Sequence, residues 1–146
     1  MREIKFRIYF RDDESFMSEP ISLEDLLHED WIEFENLEGT LSLPLKDFRF
    51  YYYKGSKAYE LMQYTGLHDK NGKEIYEGDI VQTEELRAVV EYSEIYAEYI
   101  TTHTNQIQYE DEPLGDLRAE EIEVIGNIYD NPDLLEKGKE VWKKKN

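Results

Sequence analysis

The sequence predicts a mainly β protein: a small barrel or sandwich preceded by an N-terminal α+β arm. Three observations carry this. Ile4, Phe6, Ile8 and Phe10 alternate with Lys5, Arg7 and Tyr9, the period of a half-buried strand. Asn71-Gly72 lies between two strand-like runs and is the strongest short-range hairpin signal. Beyond it, short runs rich in Val, Ile, Tyr and Thr are separated by turn residues, as in small barrels and sandwiches. At 146 residues, the chain has the length of one domain, or of one domain with an appended arm.

In chain order, the first strand ends at the turn-forming run Asp12-Asp13-Glu14-Ser15. Ser22, three residues before Asp25, gives a helix N-cap signature, and Leu23, Leu26 and Leu27 follow at helical spacing, predicting a helix over 22–30. Trp31 to Glu35 alternates again until Asn36-Leu37-Glu38-Gly39 turns the chain. Leu41, Leu43 and Leu45 continue the alternation, but Pro44 makes this an edge strand or an extended loop. Phe48 to Tyr53 is dense in aromatics and predicts a strand, closed by Lys54-Gly55-Ser56-Lys57.

Asn71-Gly72 predicts a two-residue type I′ turn with φ > 0 at both positions. Gly66, Gly72 and Gly78 are expected to supply backbone freedom at turns, with Ile75, Ile80 and Val81 in the core and Asp79 capping its turn through backbone N–H groups. Further strands are expected over 87–92 and 95–102, then a polar loop over 110–116 and a closing strand over 122–129. Gly126 marks a bulge or a close backbone approach in that strand. Asn131-Pro132-Asp133 starts a last helical turn, with Leu134, Leu135, Val141 and Trp142 as its apolar stripe.

The charge bounds the function. With 34 acidic and 17 basic residues the net charge is −17. Residues 137–146 hold five lysines and one glutamate, +4, which leaves −21 on the first 136 residues. Such a body repels phosphate backbones, so nucleic acid is not an expected partner. It suits solubility through self-repulsion, an acidic face for a basic partner, or mimicry of DNA. The 14% aromatic content argues against disorder. There is no cysteine, which excludes disulfides and thiolate zinc sites and fits a reducing cytoplasm. The N-terminus lacks the apolar run of a signal peptide, and no stretch is long enough to span a membrane.

Reactive constellations are missing. His28, His68 and His103 have no metal-ligand spacing; a site built in space from His68 with Asp69 or Asp79 competes with a simply exposed turn histidine. Glu110-Asp111-Glu112 with Asp116 lacks the spacing of a calcium loop, and Glu120, Glu121 and Glu123 read as solvated faces. No nucleophile elbow, phosphate-cradling loop or dinucleotide fingerprint occurs. The expectation is therefore no catalytic residue, no metal and no cofactor. The twelve tyrosines stand out instead. Tyr51, Tyr52, Tyr53 and Tyr64, with Asp69, Lys70 and Tyr76 of the hairpin, form the candidate interaction surface, because tyrosine offers a large apolar body with a polar tip. Stacking of single-stranded bases is the competing use, supported electrostatically by Arg49, Lys54 and Lys57 alone.

Three blocks of wording resemble the YopX family, small proteins encoded mainly by phages and prophages of Gram-positive bacteria. They are Met1-Arg-Glu-Ile-Lys-Phe-Arg7, the run from Gln63 through Thr65-Gly66-Leu67 and Asp69-Lys70-Asn71-Gly72 to Glu77-Gly78-Asp79-Ile80-Val81, and the run from Glu123 through Gly126-Asn127-Ile128-Tyr129 to Asn131-Pro132 and Leu135. The resemblance implies an SH3-like barrel at the centre of a mostly β chain and brings no established activity. The division expected is an arm over 1–58, a YopX-like core over 59–135 and a basic tail over 136–146. The functional expectation is a non-enzymatic protein-binding or self-assembling module of phage or prophage type in a bacterial host cytoplasm, with a protein partner and homo-oligomers. The alternative is a regulator of nucleic-acid transactions, by DNA mimicry or weak binding through the Lys-rich tail.

Overall fold

The computed structural model describes residues 3–11, 16–36, 39–84, 87–102 and 112–135. Strands make up 50% of the described residues and helices 21%, so the mainly β class holds. Two compact units divide between Tyr64 and Thr65. The expected turns at 12–15 and 37–38, the acidic residues at 110 and 111, His103, and the tail with Val141 and Trp142 lie outside the described residues.

In the first unit, β1 (Lys5–Phe10) is central. It pairs antiparallel with β2 (Phe16–Ser18), with β3 (Ile21–Ser22) and with β6 (Tyr59–His68), the last through Phe6↔Gln63 to Phe10↔Tyr59. β4 (Trp31–Asn36) and β5 (Gly39–Pro44) extend the order to β5-β4-β2-β1-β6. Pro44 thus ends an edge strand, where its missing N–H removes no ladder bond. The alternation of β4 is realised: Ile32 and Phe34 are buried while Trp31 is exposed. α1 (Leu23–His28) starts at Ser22, whose hydroxyl accepts the Asp25 N–H at 3.1 Å. Ile8, Ile21, Leu26, Ile32, Phe34, Leu45, Phe48 and Tyr59 make the core. Phe48 and Tyr59 meet edge-on at 5.3 Å.

One expectation fails here. The aromatic run over 48–53 is not a strand but most of a helix, α2 (Leu45–Tyr53). A strand would put Phe48, Phe50 and Tyr52 on one face. The helix instead buries Leu45 and Phe48, three apart, and stacks Tyr52, four further on, against Phe48 at 5.4 Å. The Leu45 N–H, orphaned at the helix start, donates to the Asp30 carbonyl at 2.8 Å.

The second unit holds a five-stranded antiparallel sheet, in the order β11 (Glu112–Pro113), β10 (Glu98–Thr102), β9 (Arg87–Ser93), β8 (Asp79–Gln82), β12 (Glu123–Asn127). Among the described residues no pairing closes it into a barrel. Ile75, Val81, Ala88, Val90, Leu114, Ile122 and Val124 form its core. Leu114, expected in a polar loop, is fully buried in a 3-10 turn (Leu114–Asp116), and the strand expected to start at Ile95 begins at Glu98. The helical turn after Pro132 is present from Asp133.

The end of β6 and β7 (Glu74–Tyr76) form the expected hairpin, but its turn is not type I′. Gly72 alone has positive φ, +81°. The Gly72 N–H donates to the Asp69 carbonyl at 3.0 Å and the Asp69 N–H to the Lys73 carbonyl at 2.8 Å. This is a three-residue loop in which an ordinary turn is followed by a left-handed glycine, and aspartate is the favoured first residue of that turn. Gly72→Val forces a β-branched residue to φ > 0 and should lower stability by about 1–2 kcal/mol. An unchanged denaturation midpoint would contradict it.

Candidate interaction surface

In the first unit, α2 turns outward what it does not bury. Phe50, Tyr51, Tyr52 and Tyr53 are exposed, Tyr53 by 84%. Phe50 and Tyr51 pack edge-on at 5.3 Å, and the Lys54 ammonium lies 5.8 Å from both the Phe50 and Tyr53 rings. Phe50 was not among the residues expected at this surface, which was built on tyrosines. Leu27 and Trp31 add exposed apolar surface to the same unit.

Where β4 begins and β5 ends, Trp31 pairs with Pro44 across the strands. Together with Asp30, Lys46 and Arg49 they line an open groove of about 330 Å³. The Arg49 guanidinium is fixed there: Nη1 donates to the Leu26 carbonyl at 2.9 Å and the Glu29 carbonyl at 3.4 Å, at the C-terminal end of α1.

The other expected surface residues have different roles. Tyr64 and Tyr76 are buried, and the Lys5 ammonium stands 4.9 Å from the Tyr64 ring. Lys70 is exposed, and its ammonium is 3.5 Å from the Glu123 carboxylate.

Asp69 is buried and acts as a clamp. Its Oδ1 accepts the Asn71 N–H at 2.8 Å and the Lys73 N–H at 2.9 Å, which shapes the hairpin loop. Its Oδ2 accepts the Val124 N–H of β12 at 2.9 Å, and beside it the Lys70 N–H donates to the Ile122 carbonyl at 2.9 Å. Burial pushes the Asp69 pKa up. The N–H groups of Val124, Lys73 and Asn71 and the Lys73 charge together outweigh burial and hold the carboxyl below its ordinary range. A carboxylate so engaged is structural.

Asp79 caps its turn as expected, accepting the Tyr76 N–H at 2.8 Å, and is fully buried. Gly66 and Gly78 take positive φ, Gly66 within β6 rather than at a turn. At Gly126 the pairing of β12 with β8 shifts register, and a Cβ there would lie 2.5 Å from Asn131 Oδ1. His28 and His68 are exposed, and among the described residues no group of three His, Asp or Glu could hold a metal ion.

In the second unit, β9 and β10 form a hairpin whose tip carries Ile95, 87% exposed, and Tyr96, 71% exposed. The tip is held by the Tyr96 N–H, which donates to Ser93 Oγ at 3.2 Å, and by Ala97 at φ +55°. The sequence concealed this tip because Ile95 and Tyr96 read as strand.

The family model described as "YopX protein" matches residues 5–136. No curated protein matches the chain. Among solved structures, the crystal structure of protein EF1440 from Enterococcus faecalis is similar at 22% identity. It covers 90% of this chain and 97% of that one, with a TM-score of 0.47.

Proposed function

The chain belongs to the YopX family, and from that premise we propose that it is a non-enzymatic module that works by binding other proteins, copies of itself included. One observation carries the reading: α2 presents Phe50, Tyr51 and Tyr53 to solvent in a single nine-residue helix. Contiguous exposed apolar surface of this kind, rimmed by charge, marks interaction sites. Aromatic side chains with few rotatable bonds are the groups that dominate interface energetics. The resemblance supports a phage- or prophage-type protein acting in a bacterial host cytoplasm. No described helix is long and apolar enough to cross a membrane.

The test is capture from nuclease-treated host lysate by the intact protein and by a Phe50→Ser/Tyr53→Ser variant. Both side chains are exposed, so the variant should melt with the parent. Captured protein should fall at least tenfold, since interface aromatics are the usual energetic centres. Equal capture by the variant would refute the α2 surface. A second reading, regulation of nucleic-acid transactions by DNA mimicry, is favoured by the net charge of −17. It requires the captured species to be a DNA-binding protein, displaced by added duplex DNA and insensitive to the α2 variant.

A further inference from the structure

The groove and the hairpin tip complement each other in chemistry, although they lie in different units. The groove wall offers the Trp31 indole, 61% exposed, and the Pro44 ring, with two cations, Lys46 and Arg49, against one carboxylate, Asp30. That local excess of positive charge stands in a chain of −17. At about 330 Å³ the space is at the small end of ligand pockets, enough for one or two side chains rather than a cofactor. Its occupant therefore has a compact apolar body with negative charge beside it.

The β9–β10 tip has that composition. Ile95 and Tyr96 project from it, and Glu91, Glu94 and Glu98 are exposed around them. No basic residue occurs from Ala88 to Thr102. The aromatics of α2 fit the groove less well, because Lys54 rides on them and Lys57 follows, which repeats the charge of Lys46 and Arg49. We propose that the Trp31 groove receives the Ile95–Tyr96 tip of a second copy of this chain.

The indole and Pro44 cover the apolar pair while the glutamates stand near Lys46 and Arg49. The contact joins two unlike surfaces, so it either closes reciprocally between two copies or runs on head to tail. Small area makes it weak, and its charge component makes it dependent on salt. The proposal rests on the reading of the protein as a binding module and names one partner and one surface for it.

Sedimentation velocity of the full chain over a concentration series tests this. The weight-average coefficient should rise with concentration at about 0.15 M salt, where a Debye length of about 8 Å screens the −17 on each copy from the other. Ile95→Ser/Tyr96→Ser, Trp31→Ala and Lys46→Glu should each weaken association at least tenfold while the melting midpoint stays put, all four residues being exposed. Mixing the Lys46→Glu protein with a Glu94→Lys protein should restore association between the two. Concentration-independent sedimentation of the parent would overturn the proposal, and so would association that survives the tip variant or the Trp31 variant. Either result leaves the α2-dependent capture of other proteins standing. Loss of that capture with self-association intact would instead strike the α2 surface and spare this one.

Discussion

Asp69→Ala should destabilise the second unit by about 3 kcal/mol or more, because it strips a buried acceptor from three backbone N–H groups at once. Hydrogen bonds to a charged acceptor contribute about 1.5–3 kcal/mol each, and these three share one group, so their effects will not simply add. Asp69→Asn is the milder variant. Its amide oxygen can serve the loop donors, but the amide nitrogen then faces the Val124 N–H, donor against donor. A loss of roughly 1–3 kcal/mol is expected. Urea denaturation of both variants measures this, and a loss under about 0.5 kcal/mol for Asp69→Ala, the size of an ordinary surface substitution, would show that the carboxylate is not a clamp.

The same carboxylate sets a pH dependence. Its pKa in the folded chain lies below the unfolded value of about 3.9. Its contribution is therefore fully present above that value and is lost as pH falls through the folded pKa. Below about pH 4 the parent should lose stability faster than Asp69→Asn, which has no proton to take up at this site. Parallel acid limbs for the two proteins would contradict the assignment.

Gly126→Val should cost about 2–3 kcal/mol, with Gly126→Ala smaller. The added Cβ would meet Asn131 Oδ1 at 2.5 Å, Asn131 Cγ at 2.8 Å and Leu134 Cδ1 at 2.9 Å. Those atoms cannot swing aside freely. Asn131 donates its N–H to the Asn127 carbonyl at 2.9 Å and accepts the Asn127 N–H through Oδ1 at 3.2 Å, and Leu134 N–H bonds back to the Asn131 carbonyl at 3.1 Å. The Leu134 carbonyl in turn receives the Arg87 guanidinium at 2.8 Å. Thermal melts of the two variants, ordered parent, Ala, Val, provide the check; a valine variant as stable as the parent would mean that the helical turn after Pro132 is not seated on β12.

Features set by neighbours in the chain were legible in the sequence. The N-cap at Ser22, the inward pair Ile32 and Phe34, the edge position of Pro44 and the irregularity at Gly126 all follow from local chemistry. α2 was not legible. A run of aromatics has high strand propensity, and only the burial of Leu45 and Phe48 against the core reveals a helical period inside it. Of the candidate surface, Tyr51, Tyr52 and Tyr53 are exposed as expected, but on one helix with Phe50, while Tyr64 of β6 and Tyr76 of β7 are interior. Asp69 was picked out for the wrong reason. Its wording in a turn suggested recognition, whereas its third donor lies 55 residues away, a distance no local pattern reports.

That separation has a consequence for how the chain acquires its structure. The strand pairings of the first unit all fall within the first 64 residues, and the β6–β7 hairpin is local. β12, by contrast, must return to β8 and to Asp69 across most of the second unit. Closing so long a loop costs chain entropy before any contact repays it, so such pairings form late. On the ribosome the first unit can assemble while the second is still being made. The second cannot be completed until Val124 has emerged, and until then the Asp69 carboxylate waits in an open hairpin for the last of its donors.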